Sequence, residues 1–240
     1  SDLNSGDDFY ERLTEAFVAW HASEAFNLTV GKQKPKFGWE WSMSSRLIPT
    51  FERSGLINQF RPDYASAVAI DGKVDKWSYY GGVFSNDTVG DGDDTTEFGD
   101  FDGGWSTIAS VGYDFSEAIG TKKAQWRLDY IHSEQDENDD ILTAFENGVS
   151  TSLELKDGDW GLLTEILFGD SVATNWGLVL IPTYDITSKL QVVGRYQLGL
   201  SDEDTGLSAQ RRYEREVGGA GGDMYNAFYV GLQYFLFEGK

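Results

Sequence analysis

Apolar and polar residues alternate with a period of two along most of this chain, in runs rich in aromatic and β-branched side chains, and the helical period is nearly absent. The pattern predicts an all-β protein with strands at about 12–22, 25–34, 63–71, 75–85, 104–115, 123–133, 148–156, 159–168, 174–184, 188–199 and 223–237. In the fifth run Trp105, Thr107, Ala109, Val111, Tyr113 and Phe115 alternate with Ser106, Ile108, Ser110, Gly112 and Asp114. The sixth sets Ala124, Trp126, Leu128 and Tyr130 against Gln125, Arg127, Asp129 and Ile131, and the tenth sets Leu190, Val192, Tyr196 and Leu198 against Gln191, Val193, Arg195 and Gln197. Each run is about as long as a tilted strand must be to cross hydrocarbon, and a water-filled barrel in lipid needs this apolar-outward, polar-inward dyad. A half-solvated soluble sheet shows the same alternation with its apolar face turned to a core.

The connections separate the two readings. Short turns at 23–24, 71–75, 116–122, 157–158 and 185–188 take turns with mostly longer loops at 35–62, 86–103, 134–147, 169–173 and 200–222. That asymmetry belongs to outer-membrane barrels, tight on one side and extended on the other. No stretch is long and apolar enough for a spanning helix, so a membrane role must use strands. The opening SDLNSGDDFY has no initiator Met, basic region or apolar region, which fits a processed or trimmed product.

Charge sharpens the picture. With 40 Asp and Glu against 19 Lys and Arg, the net charge of -21 excludes a typical nucleic-acid binder. Much of it sits in loops 86–103 and 134–147, where Asp87, Asp91, Asp93 and Asp94 or Asp136, Glu137, Asp139 and Asp140 cluster without a basic residue. Such blocks read as a solvated outer face, and the spacing is not that of an EF-hand calcium loop. There is no Cys, which removes disulfides and thiolate chemistry from consideration. The two histidines, His21 and His132, lie in strand patterns without a nucleophile signature, so a packed or interfacial role is expected. No cofactor, metal or enzymatic motif emerges.

Against this acidic background the segment 30–62 carries Lys32, Lys34, Lys36, Arg46, Arg53 and Arg61 with only Glu40 and Glu52. It is the longest connection, and Pro49 suggests a short helix over 48–56. An ordered loop of that length in a barrel is more often functional than idle. Arg supplies a planar fork for oxyanions and Lys a movable point charge, so Arg46, Arg53 and Arg61 are candidates for contact and Lys32, Lys34 and Lys36 for attraction. Arg127 and Arg195, on the polar phase of their strands, extend the candidate anion path. Lys32 and Lys34 share parity with Leu28 and Val30, so a bulge or the strand end must turn them toward a lumen.

Several blocks resemble the phosphate-selective porins of the O and P type: Val30-Gly31-Lys32-Gln33-Lys34 leading to Phe37-Gly38 and Glu40, Pro49-Thr50-Phe51-Glu52-Arg53-Ser54 with Arg61-Pro62, WSYYGGVFSND at 77–87, and FYVGLQYFLFEGK at 228–240. The resemblance implies a 16-stranded antiparallel transmembrane barrel in the outer membrane of a Gram-negative bacterium, usually a homotrimer. Small anions such as phosphate would be its cargo, and outer-membrane lipid and lipopolysaccharide its surroundings. It also implies that residues 35–62 match an inward-folding constriction loop within a single barrel domain spanning 1–240. Eleven strands leave an open sheet, so the chain is expected to supply about strands 4 to 14 of a barrel incomplete at both ends, or to close with a twelfth strand at 206–216. The competing class is a soluble secreted β-sandwich, either a carbohydrate-binding domain using Trp39, Trp41 or Trp105 or a glycoside hydrolase.

Overall fold

In a computed structural model of the protein, residues 15–86, 104–134, 142–208 and 221–236 are described. Eleven antiparallel strands form one sheet in which chain neighbours are sheet neighbours: β1 (Ala16–Ser23), β2 (Phe26–Gln33), β3 (Ala65–Val74), β4 (Trp77–Ser85), β5 (Trp105–Asp114), β6 (Lys123–Ser133), β7 (Asn147–Asp157), β8 (Trp160–Asp170), β9 (Thr174–Asp185), β10 (Leu190–Ser201) and β13 (Met224–Tyr234). The eleven expected strands are all present, shifted by a few residues at their ends. A separate ribbon pairs β11 (Leu207–Ser208) with β12 (Gly221–Gly222). The strand expected at 206–216 therefore does not extend the main sheet where it is described, and its residues 209–216 lie outside the described part. The two acidic blocks at 87–103 and 135–141 lie outside it too.

An up-and-down order follows from the connections. Two-residue turns at 24–25, 75–76 and 158–159 return the chain at one end, joined there by the 186–189 turn and the short helix α3 (Ser116–Ile119). At the other end the connections run longer, at 34–64, 86–104, 134–146 and 202–223, with 171–173 the exception.

The outward face bears the marks of a wall in lipid. Cross-strand pairs Trp77–Tyr113 and Trp160–Tyr184, with ring centroids 4.6 Å and 4.5 Å apart, stand near the turn end. Phe168–Trp176 and Trp105–His132 stand near the loop end, at 4.5 Å and 6.3 Å. His132 stands edge-on to Trp105 at that end and is half-buried. Between these two belts the exposed side chains are mostly aliphatic, among them Val68, Ile70, Leu128, Ile166 and Val230, with Phe228 an aromatic exception in the middle of β13. Aromatic belts flanking an aliphatic band are what a bilayer selects, because amphipathic rings suit the headgroup level and hydrocarbon suits the centre. In water an apolar surface this extensive would be a liability.

The inward face departs from expectation. Alternation predicts a polar lumen, yet Ala67, Ala69, Phe84, Ile108, Ile131, Leu163, Leu167, Val179, Ile181 and Val193 all point inward and are buried. What buries them is the 34–64 loop, which folds inside the sheet and sets Phe37, Trp41, Leu56, Ile57 and Phe60 against them. The core of the protein lies between wall and loop.

A charge on the lipid band tests this orientation. Leu128→Arg, near the middle of β6 and facing outward, is expected to lower the unfolding free energy by about 2–4 kcal/mol in phospholipid vesicles, read by urea titration. An unchanged transition would mean that this face does not meet hydrocarbon.

Candidate functional site

The interior loop owes its position to its own local chemistry and to charged groups on the wall. It contains α1 (Trp39–Ser42) and α2 (Gly55–Phe60). The helix expected over 48–56 lies later in the chain, and the reason is a cap: Ser54 Oγ accepts from Ile57 N at 3.1 Å, starting α2 at Gly55. Pro49 lies in an irregular stretch before it.

Gly38 brings α1 to the wall. Its φ of 74° lies in the left-handed region, and a Cβ there would come within 2.7 Å of Glu165 Oε1. Through this close approach Gly38 N donates to Asp129 Oδ2 at 3.0 Å, and Trp39 N and Glu40 N donate to the two oxygens of Glu165 at 2.7 Å and 3.4 Å. Glu165 is fully buried and also accepts from Ser150 Oγ at 2.9 Å. A buried carboxylate is tolerable only with such donors, and the start of a helix offers them unpaired.

Wall arginines grip the opposite polarity of the loop backbone. Arg127 Nη2 donates to Lys36 O at 2.7 Å while its Nε meets Asp129 Oδ1 at 2.6 Å. Arg195 Nη1 donates to Glu52 O at 2.6 Å and to Thr50 Oγ1 at 3.3 Å, and lies 3.7 Å from Glu40 Oε1. Gln197 Oε1 accepts from Leu56 N at 3.3 Å. Arg195 is 6% exposed, and its ring of contacts makes it a clamp on the loop. Arg127 is more open and borders a polar cavity of about 560 Å³ on the turn side, together with Lys36, Asp71 and Tyr80.

The loop cations divide into groups. Lys34 Nζ, Arg53 Cζ and Arg61 Cζ lie 4.3, 4.9 and 4.4 Å from the ring of Trp41. Three cations around one indole is an arrangement that repulsion opposes and the π-face only partly offsets. Arg53 is oriented by bonds to Glu40 O and Met43 O, Lys34 by a bond to Met43 O, and Arg61 pairs with Asp63. The indole N–H of Trp41 is buried and has no hydrogen-bond partner among the described residues. Lys34 is pulled down to about 8, first by partial burial and next by Arg53, with Glu15 opposing. The strand end achieves the turn that Lys34 needed, whereas Lys32 stays within β2 and is buried. Lys36 pairs with Asp71 at 3.3 Å, apart from the Trp41 group. Arg46 is exposed beside a second hollow.

A family model for phosphate-selective porin O and P matches residues 1–139, the stretch that holds β1 to β6 and the whole interior loop. The chain belongs to that family. No curated protein matches it. Membership in a porin family points to a channel, and the function then turns on what the loop and wall present to a passing solute.

Sequence reasoning singled out the cations and missed what holds them. Trp41 was a candidate only as a sugar platform, although it is the hub of the basic group. Glu165 sits between Leu163 and Leu167 on the inward phase of an otherwise apolar run, a placement that signals a polar anchor when a loop is available to receive it, and Gln197 shares the polar inward phase of Arg195.

Burial of Glu40, opposed by Ser54 and Arg195, raises its pKa above the ordinary carboxylate range. A raised acid binds its proton more readily in the folded chain, so its favourable contribution holds at low pH and is lost as pH rises through the raised value. Thermal midpoints of the detergent-folded porin should therefore fall across that interval, and Glu40→Gln should flatten this part of the profile. Parallel profiles for the two proteins would remove Glu40 as the source.

Proposed function

We propose that this porin forms an anion-selective, water-filled channel in the outer membrane of a Gram-negative bacterium, with phosphate-like oxyanions among its cargo and the Trp41 group of the interior loop as the selective element. The observation that carries the reading is the convergence of Lys34, Arg53 and Arg61 on one indole whose own N–H is unpartnered among the described residues. Donors and positive charge meet there, and among the described residues only Asp63 pairs with any of the three cations by a side-chain carboxylate. An anion losing hydration in a narrow passage would find replacement donors, in a low-dielectric setting that strengthens their field.

Local charge decides selectivity, so the overall -21 is no obstacle. Arg53 and Arg61 offer planar forks suited to oxyanions, and Lys34 a point charge beside them. Conduction also needs release, and the separate cations Lys36 and Arg127 provide weaker stations along the turn side of the loop. Arg195 and Lys32, both buried, contribute to the field around the path more than to contact. Homotrimeric assembly and contact with lipid and lipopolysaccharide belong to the same family-based reading.

Reversal potentials in planar bilayers under a KCl gradient test the assignment. The wild-type porin should favour chloride, and Lys34→Gln, Arg53→Gln and Arg61→Gln together should abolish the preference. Selectivity retained by the triple variant would overturn the Trp41 group as the filter.

A second expectation concerns pH. Because Lys34 titrates near 8, anion preference should decline between about pH 7 and about pH 9, and Lys34→Arg should hold it constant over that interval. A wild-type preference independent of pH in that range would take Lys34 out of the selective group.

A further inference from the structure

Between the 39–49 stretch of the loop and the inner wall near the turn end lies a hollow of about 330 Å³ that the reading above does not use as a binding site. Its walls differ in character. Met43, Leu47, Pro49, Leu163 and Ile181 give it an apolar lining. Arg46, Lys123 and Lys156 border it with a single carboxylate, Glu154.

The charges are not equivalent. Lys123 bonds to Glu154 at 2.8 Å, and Lys156 to Asp185 at 2.7 Å. Glu154 also accepts the indole N–H of Trp39 at 3.0 Å, so its charge is already met twice. Arg46 is exposed and makes no salt bridge among the described residues. The hollow thus offers one uncommitted guanidinium beside an apolar wall, at the small end of the size range for ligand sites. A hydrated inorganic ion would leave the apolar lining wet, and a neutral hydrocarbon would leave Arg46 unmatched.

We propose that this hollow is a binding site for small organic monoanions that carry an apolar ring, with the carboxylate on Arg46 and the ring against Met43, Leu163 and Ile181. The porin would then hold amphipathic carboxylates at a place separate from the Trp41 group. The inference needs only a solvated interior, and equilibrium binding tests it without reference to conduction.

Calorimetric titration of the detergent-folded full chain with benzoate, acetate, benzyl alcohol and inorganic phosphate is the experiment. Benzoate should bind at least about tenfold more tightly than acetate, which lacks the ring, and than benzyl alcohol, which lacks the charge. Arg46→Gln should weaken benzoate about tenfold. Thr183→Phe, which fills the hollow from the inner face of β9, should weaken it similarly while leaving phosphate binding unchanged. Benzoate binding no tighter than acetate, or unaffected by either folded variant, overturns the proposal. Should both variants fail to fold, the ranking of ligands on the wild-type chain decides by itself. Loss of anion selectivity in the bilayer with benzoate binding intact would defeat the channel reading alone.

Discussion

A long loop can remain inside a barrel only if its backbone finds hydrogen-bond partners there, since each buried amide or carbonyl left alone is costly. In this porin the wall supplies those partners as buried charges: Glu165 and Asp129 for the amides of Gly38, Trp39 and Glu40, and Arg127 and Arg195 for the carbonyls of Lys36 and Glu52. The apolar contacts of Phe37, Leu56, Ile57 and Phe60 add favourable burial but little direction. The charged contacts set the path, and the path sets where the cations stand.

The arrangement also accounts for how a basic group survives within an acidic protein. Wall carboxylates turn toward loop amides or toward Arg127, while the carboxylate of Glu40 is held by Ser54 N at 2.9 Å. These wall carboxylates and Glu40 are thus engaged elsewhere, and Lys34, Arg53 and Arg61 gather at Trp41 with Asp63 paired to Arg61.

Much of the fold was legible in the sequence because a barrel wall is a local pattern repeated. The period of two, the alternation of Trp105 to Tyr113 with Ser106 to Asp114, and the unequal connections each report on the backbone without reference to distant residues. The interior was less legible. Val179, Ile181 and Val193 occupy the phase a polar lumen would claim, and only the presence of the loop explains them. Arg195 illustrates the same limit: its strand phase is inward, as alternation has it, but its contacts with Thr50 and Glu52 depend on a chain segment more than a hundred residues away. The helix start was misplaced because Pro49 is a visible signal, whereas the cap at Ser54 becomes one only when the chain before it is known to be extended.

The clamps on the loop act largely on its main chain. Asp129, Glu165, Arg127 and Gln197 bind backbone carbonyls, which every residue possesses, or backbone N–H groups, which only proline lacks, so the wall recognises a route and not a particular set of side chains. Variation at Arg46, Leu47 or Phe51 leaves these attachments in place. A sheet built this way is free to vary what its loop presents, one side chain at a time, while the scaffold that positions them stays the same.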